Sequence, residues 1–351
     1  MRLTIKREAM ESVGIPFAAL LLSLLVFGAF ILAVGVDPIG VYRSMFRGAF
    51  GTWFSWQNTL VGAAPLMLTA LCTALPARMG LINIGAEGAF VVGGLLAALV
   101  ALGFTGAPGV VGLGAMLLTG IVSGGLWIAM VGALKHYRGV NETISSLLLN
   151  YIAIAVLDFL VVGPLRDPAS LNNPGTYPID SAFQISDIGN SSVHWGLIIS
   201  LVVCVGLWIA MRFTTFGFSV DVTGGNRRAA QLAGMSVGKL VLATCFLGGG
   251  AAGLAGSIEI AAVQGAANTA LNAGYGYQGI LIAFIARHNP IAIIPVAILL
   301  GGIHAAGGLV QRVYNLPDAT DLVLQGIIFI IILGSEAMYG RLRLPLRWRT
   351  A

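Results

Sequence analysis

Long apolar stretches separated by short polar breaks run along the whole chain. Pro16 to Val36 is apolar over the length a bilayer-crossing helix needs, about 20 residues. Further stretches of that kind lie at 57–76, 82–103, 110–134, 143–163, 193–211, 240–262, 268–286, 290–309 and 321–340. The pattern predicts an all-α polytopic membrane protein with about ten transmembrane helices. The stretch at 268–286 stands apart, because Asn268, Asn272 and the glycines around Tyr275 leave only a short fully apolar piece. That crossing is expected to be broken or partly re-entrant.

Composition supports the same class. Hydrophobic residues make up 57% of the 351 positions and charged residues 9%, against roughly a quarter charged in ordinary soluble proteins. Soluble, disordered and disulfide-stapled classes are excluded, and the chain is expected to be a single transmembrane domain over 1–351. Cys72, Cys204 and Cys245 lie inside apolar runs without metal or redox spacing, as small buried hydrophobes do. The net charge of +5 marks topology. With the N-terminus in the cytoplasm, ten crossings return the C-terminus to the same side. Of 19 basic residues, only Arg43, Arg47, Arg166 and Arg312 then fall outside, as the positive-inside rule requires. The longest inner connection is 212–239, and the main outer loop is 164–192. A faint echo between 133–152 and 310–329 matches Asn141 with Asp318 and Thr143 with Thr320. Five crossings apart, the two stretches would run oppositely, as in an inverted five-plus-five repeat.

Polar groups inside lipid are costly, so they mark a solute path or a structural bond. In "LINIGAEG" at 81–88, Asn83 and Glu87 share a helix face, and Gly85 and Gly88 loosen the backbone around them. Such a segment suits a discontinuous helix, whose free N–H and C=O groups can meet a solute. The alternative is an ion pair between Glu87 and Arg78. In "NETISSLLLNY" at 141–151, Asn141 is placed as an N-cap. Thr143, Ser146, Asn150 and Asp158 then form one polar stripe, either hydrogen-bonding between helices or lining a wet path. In "NAGYGYQG" at 272–279, Tyr275, Tyr277 and Gln278 offer aromatic faces and an amide suited to a ribose or nucleobase. His304 stands alone in an apolar span and reads as a packing residue. No His, Cys or carboxylate cluster has metal or nucleophile spacing, so the chain is not expected to be an enzyme.

Within 212–239, "GGNRRAAQLAG" reads as a short helix with Asn226 as N-cap and Gly234 as stop. Arg227 and Arg228 occupy its first turn, where the helix dipole favours acidic groups, so an outside partner explains them better than helix stability does. "GMSVGKL" at 234–240 is one residue too short for a phosphate loop and has no Ser or Thr after Lys239.

The strings "GLINIGAEGAF", "NETISSLLLNYIA", "GGNRRAAQLAGMSVGK" and "GYGYQGILIAFIARHNP" together resemble the permease subunits of bacterial ABC importers for nucleosides and simple sugars. These sit in the wider group that includes branched-chain amino acid permeases. The resemblance covers most of 55–340. It implies a permease subunit of the inner membrane that moves a nucleoside or simple sugar. It also implies a second permease subunit, a separate cytoplasmic ATPase and an extracytoplasmic solute-binding protein as partners. The ATP belongs to the ATPase, and no cofactor to this chain. Under it, 224–234 is the coupling helix, with Gly225, Asn226, Arg227, Arg228 and Ala230 seated against the ATPase. Asn83, Glu87, Asn150, Tyr275, Tyr277 and Gln278 are the expected path residues. Ala89, where the family commonly has Gln, and Gln278, where an acidic or hydroxyl residue is frequent, depart from the pattern. The competing expectation is a secondary transporter or channel without ATP, for which deep ion-coupling groups are scarce.

Overall fold

A computed structural model describes residues 2–170, 173–317 and 319–336. Asp318, the end of the last expected span and the C-terminal basic residues lie outside them. The described residues form thirteen α-helices and no strand: α1 Arg2–Ala33, α2 Pro38–Phe50, α3 Trp53–Ala77, α4 Ala86–Gly103, α5 Gly109–Arg138, α6 Glu142–Val162, α7 Gly196–Phe213, α8 Thr215–Gly225, α9 Arg227–Leu232, α10 Val237–Glu259, α11 Tyr275–Ile285, α12 Pro290–Tyr314 and α13 Thr320–Glu336. A π-turn, Ile260–Gln264, continues α10. Seven helices (α3–α7, α10 with its π-turn, and α12) are long and apolar enough to cross a membrane. An eighth crossing is added if α1 and α2, bent by 119°, count as one broken span. The hydrophobic pattern gave about ten. The difference falls on 268–286 and 321–340, where α11 has 11 residues and α13 has 17.

The chain divides into two compact units, Met1–Gly48 with Ala306–Ala351, and Ala49–Ala305. In the first, α2 is a helix that the hydrophobic pattern did not predict. Asp37 caps it by accepting from Ile39 N and Gly40 N (3.1 and 2.9 Å), and the Tyr42 hydroxyl donates to the Leu24 carbonyl of α1. The second unit is built around α10, which packs on α3, α4 and α5. Glycines make these crossings close: a Cβ on Gly256 would lie 2.0 Å from Phe90 O, and one on Gly124 would lie 2.5 Å from Gly249 O. Backbones at such distances leave no room for a side chain.

Within this unit, α8 and α9 lie at one end of the bundle and the long α6–α7 loop at the other. That loop does not float. Thr176 N donates to Ala267 O (2.9 Å), Ile179 N to Gly265 O (2.8 Å) and Ile185 N to Ala261 O (2.9 Å), while Phe183 is fully buried in a socket where Gly112 of α5 has no Cβ to obstruct it. The loop is thus strapped to the segment leading from α10 to α11. A Cβ on Gly175 would lie 3.1 Å from that of Asn268, a few tenths of an ångström inside the roughly 3.5–4.5 Å of a disulfide, so a small opening of the strap accommodates one. The double variant Gly175→Cys, Asn268→Cys should therefore cross-link on mild oxidation, read as a protected peptide pair by mass spectrometry. The three native cysteines are buried and should not compete.

Candidate functional site

After α3 the chain does not turn directly into α4. Gly80 takes φ +72°, and residues 81–84 have no helical structure. The polar stripe of α6 holds this extended piece rung by rung. Thr143 Oγ1 donates to Ile82 O (3.2 Å), Ile84 N to Ser146 Oγ (3.1 Å), Asn150 Nδ2 to Ile84 O (2.8 Å) and Gly88 N to Asn150 Oδ1 (2.8 Å). Of the two roles open to the stripe, Thr143, Ser146 and Asn150 therefore perform interhelical hydrogen bonding; Asp158 is exposed and outside it. Asn141 caps α6 by accepting from Thr143 N and Ile144 N (2.9 and 3.1 Å). Asn83 secures the other side: its Nδ2 donates to Cys72 O (3.0 Å), its Oδ1 accepts from Gly85 N (3.0 Å), and Thr73 Oγ1 donates to its carbonyl (3.1 Å).

Glu87, in the first turn of α4, is completely buried. Its carboxylate accepts from Gly274 N (2.9 Å) and Gly276 N (2.6 Å), the amides that open α11. A carboxylate is well suited there, because it meets both unsatisfied N–H groups and the positive end of the helix dipole. The approach requires glycine. Gly274 has φ +79°, and a Cβ on Gly276 would lie 2.1 Å from Glu87 N. Thr69 of α3 completes the anchor by donating to Tyr275 O (3.0 Å). The ion pair between Glu87 and Arg78 is not formed; Arg78 Nε instead meets Asp221 of α8 at 3.3 Å. Burial, helped by the nearby charges of Arg287 and Arg78, holds the imidazole of His288 below the ordinary range.

Two helices thus begin within the bundle, and their starts meet at one carboxylate. All six expected path residues gather there. Asn83, Glu87 and Asn150 commit their polar atoms to backbone. Tyr275 packs edge-on against Phe90 (ring centroids 5.7 Å) and His304 (6.1 Å). Tyr277 is 39% exposed. Gln278 is buried, and its Oε1 has no partner among the described residues. Sequence reasoning missed Thr69, whose place in an uninterrupted apolar run gives no signal, and the Gly276 approach, which joins positions far apart in the chain. No group of three or more His, Cys, Asp or Glu that could hold a metal occurs among the described residues. The arrangement can bind and reorient a solute, but offers no nucleophile–base pair.

At the α8–α9 end, the short helix forms as the sequence predicts. Asn226 accepts from Ala229 N (3.0 Å) and Gly234 takes φ +79°. Ala230 is buried in a cluster with Met79, Val220 and Val237, while Gly225, Asn226, Arg227 and Arg228 are exposed and Leu232 is 84% exposed. The segment before it is seated tightly, since a Cβ on Gly224 would lie 1.9 Å from Arg78 O.

A multi-pass helical membrane protein with helices interrupted inside the bundle and an anchored knob at one end belongs to the solute-translocating class. Residues 55–333 match the family model described as branched-chain amino acid transport system / permease component, and the chain belongs to that family. It is similar to the glucose ABC transporter permease protein TsgB13 of Haloferax volcanii, with 31% identity covering 92% of this chain and 87% of that protein. The guanosine ABC transporter permease protein NupP of Bacillus subtilis is 30% identical, covering 92% and 94%. The nucleoside ABC transporter permease protein NupB of Lactococcus lactis subsp. cremoris is 26% identical, covering 92% and 91%. The chain is a membrane-spanning permease subunit of an ABC importer, without an ATPase site of its own.

Proposed function

We propose that this permease moves a nucleoside or simple sugar across the inner membrane. A second permease subunit would complete the path, a cytoplasmic ATPase would dock on α9, and an extracytoplasmic solute-binding protein would dock on the 164–192 loop. Ten crossings, counting the irregular 265–274 connection with α11 as one, put both termini in the cytoplasm; two oppositely oriented halves of five fit the same count. The observation that carries this reading is the meeting of the α4 and α11 starts at Glu87. There Asn83, Glu87 and Asn150 fix the backbone, while Tyr275, Tyr277 and Gln278 line the way past it. Polar helix starts inside lipid are tolerated only where they face protein or a cavity. The relatives for glucose, guanosine and nucleosides support the solute class.

Power is proposed to enter through Gly225, Asn226, Arg227, Arg228 and Ala230. The exposed arginines would contact the ATPase, and buried Ala230 would pass the displacement to the bundle. Replacing Arg227 and Arg228 with Glu should lower ATPase co-purification and uptake by about tenfold or more, because like charges facing a partner's acidic groups cost several kcal/mol, of order 3 or more. Parental values for both measurements would remove the coupling role.

A further inference from the structure

We infer that Tyr151 of α6, with Tyr277 of α11, forms an aromatic bracket that receives the planar ring of the solute beside the Glu87 junction; this rests on the proposed nucleoside reading. Tyr151 is the tenth residue of the 21-residue helix α6. At about 1.5 Å per residue it stands near the middle of the crossing, yet it is 59% exposed. Aromatic residues that anchor helices sit at the two membrane surfaces. A phenol hydroxyl exposed at mid-depth is therefore poorly placed against lipid tails and well placed on a wet path or a partner-lined one. Its sequence neighbour Asn150 ties α6 to the start of α4 through Gly88 N and Ile84 O, which sets the height of the ring to that of the helix break.

Tyr277 comes to the same place from the other helix. It lies in the first turn of α11, is 39% exposed, and follows Gly276, whose N–H is held by Glu87 (2.6 Å) one residue before the Gly88 that Asn150 holds (2.8 Å). Tyr275, two residues earlier, turns instead towards Phe90 and His304. The two exposed rings thus belong to different helices that are held at adjacent residues of α4, α11 by Glu87 and α6 by Gly88, an arrangement that can take a flat ring on a face while the Asn150–Gly88 bond keeps the break intact. A nucleobase is the ligand class with such a face, and base stacking on tyrosine tolerates different bases.

The test uses the complete importer in proteoliposomes, with guanosine, adenosine and ribose as probes. Tyr151→Ala should lower nucleoside uptake about tenfold. Tyr151→Phe should restore most of it. Tyr151→Leu, equally apolar but without a π-face, should not. Nucleoside uptake that is the same in Tyr151→Ala as in the parent, or fully restored by Tyr151→Leu, would overturn the bracket and leave the permease reading standing. Ribose uptake without nucleoside uptake by the parent would overturn the nucleobase assignment. No uptake of any of the three would overturn the nucleoside reading on which the bracket rests.

Discussion

Glu87→Ala should abolish uptake and destabilise the folded subunit by about 1–4 kcal/mol, because it removes the acceptor of buried Gly276 N and part-buried Gly274 N, where a fully buried unpaired donor costs about 1–3 kcal/mol. Both amides donate to this carboxylate at 2.9 and 2.6 Å, and Gly276 sits directly against the α4 backbone. Glu87→Gln separates charge from shape. Its single oxygen can serve one amide, but the NH2 group then faces the other donor, so a smaller loss, about half that of alanine, is expected. Thermal unfolding of the assembled complex in lipid nanodiscs measures the stability change, and solute uptake in proteoliposomes measures the other. A Glu87→Ala protein with parental melting and parental uptake would show that α11 does not depend on this cap.

The hydrophobic pattern made most of this architecture legible. The expected stretch at 110–134 became α5 Gly109–Arg138 and that at 143–163 became α6 Glu142–Val162, since long apolar runs ended by glycine or an Asn cap define both span and boundary. The break at 268–286 was legible too, because no apolar residue can stand in for Asn272 and three nearby glycines. What could not be read was the partner of each polar group. Glu87 reaches a segment 187 residues away, a pairing that one sequence does not encode locally. The α6 stripe is equally compatible with lining a path and with holding 81–88. Helix α2 escaped notice because its arginines break the apolar run between α1 and α3, although Asp37 followed by a proline is a helix-start signal.

Gly253→Ala should prevent assembly of the α4–α5–α10 core, with a loss above the about 1–3 kcal/mol usual for overpacking. The new Cβ would lie 2.0 Å from Gly120 O and 2.9 Å from Gly124 Cα, both rigid backbone atoms of α5. Relief would require α10 to retreat, but α4 stands on its other side, where a Cβ on Gly93 would already fall 2.4 Å from Gly253 Cα. Neither neighbour can yield by rotating a side chain. The matched control is Gly206→Ala in α7, which meets nothing within 4 Å. There the greater helix propensity of alanine, about 1 kcal/mol, should leave stability equal or improved. Size-exclusion profiles of detergent-extracted protein read the contrast directly, with aggregated or absent protein expected for Gly253→Ala and a parental peak for Gly206→Ala. A parental profile and melting curve for Gly253→Ala would mean that α10 is not wedged between its neighbours, and with it the placement of α11 against α4 would lose its foundation, since α10 carries the chain to the segment from which α11 begins.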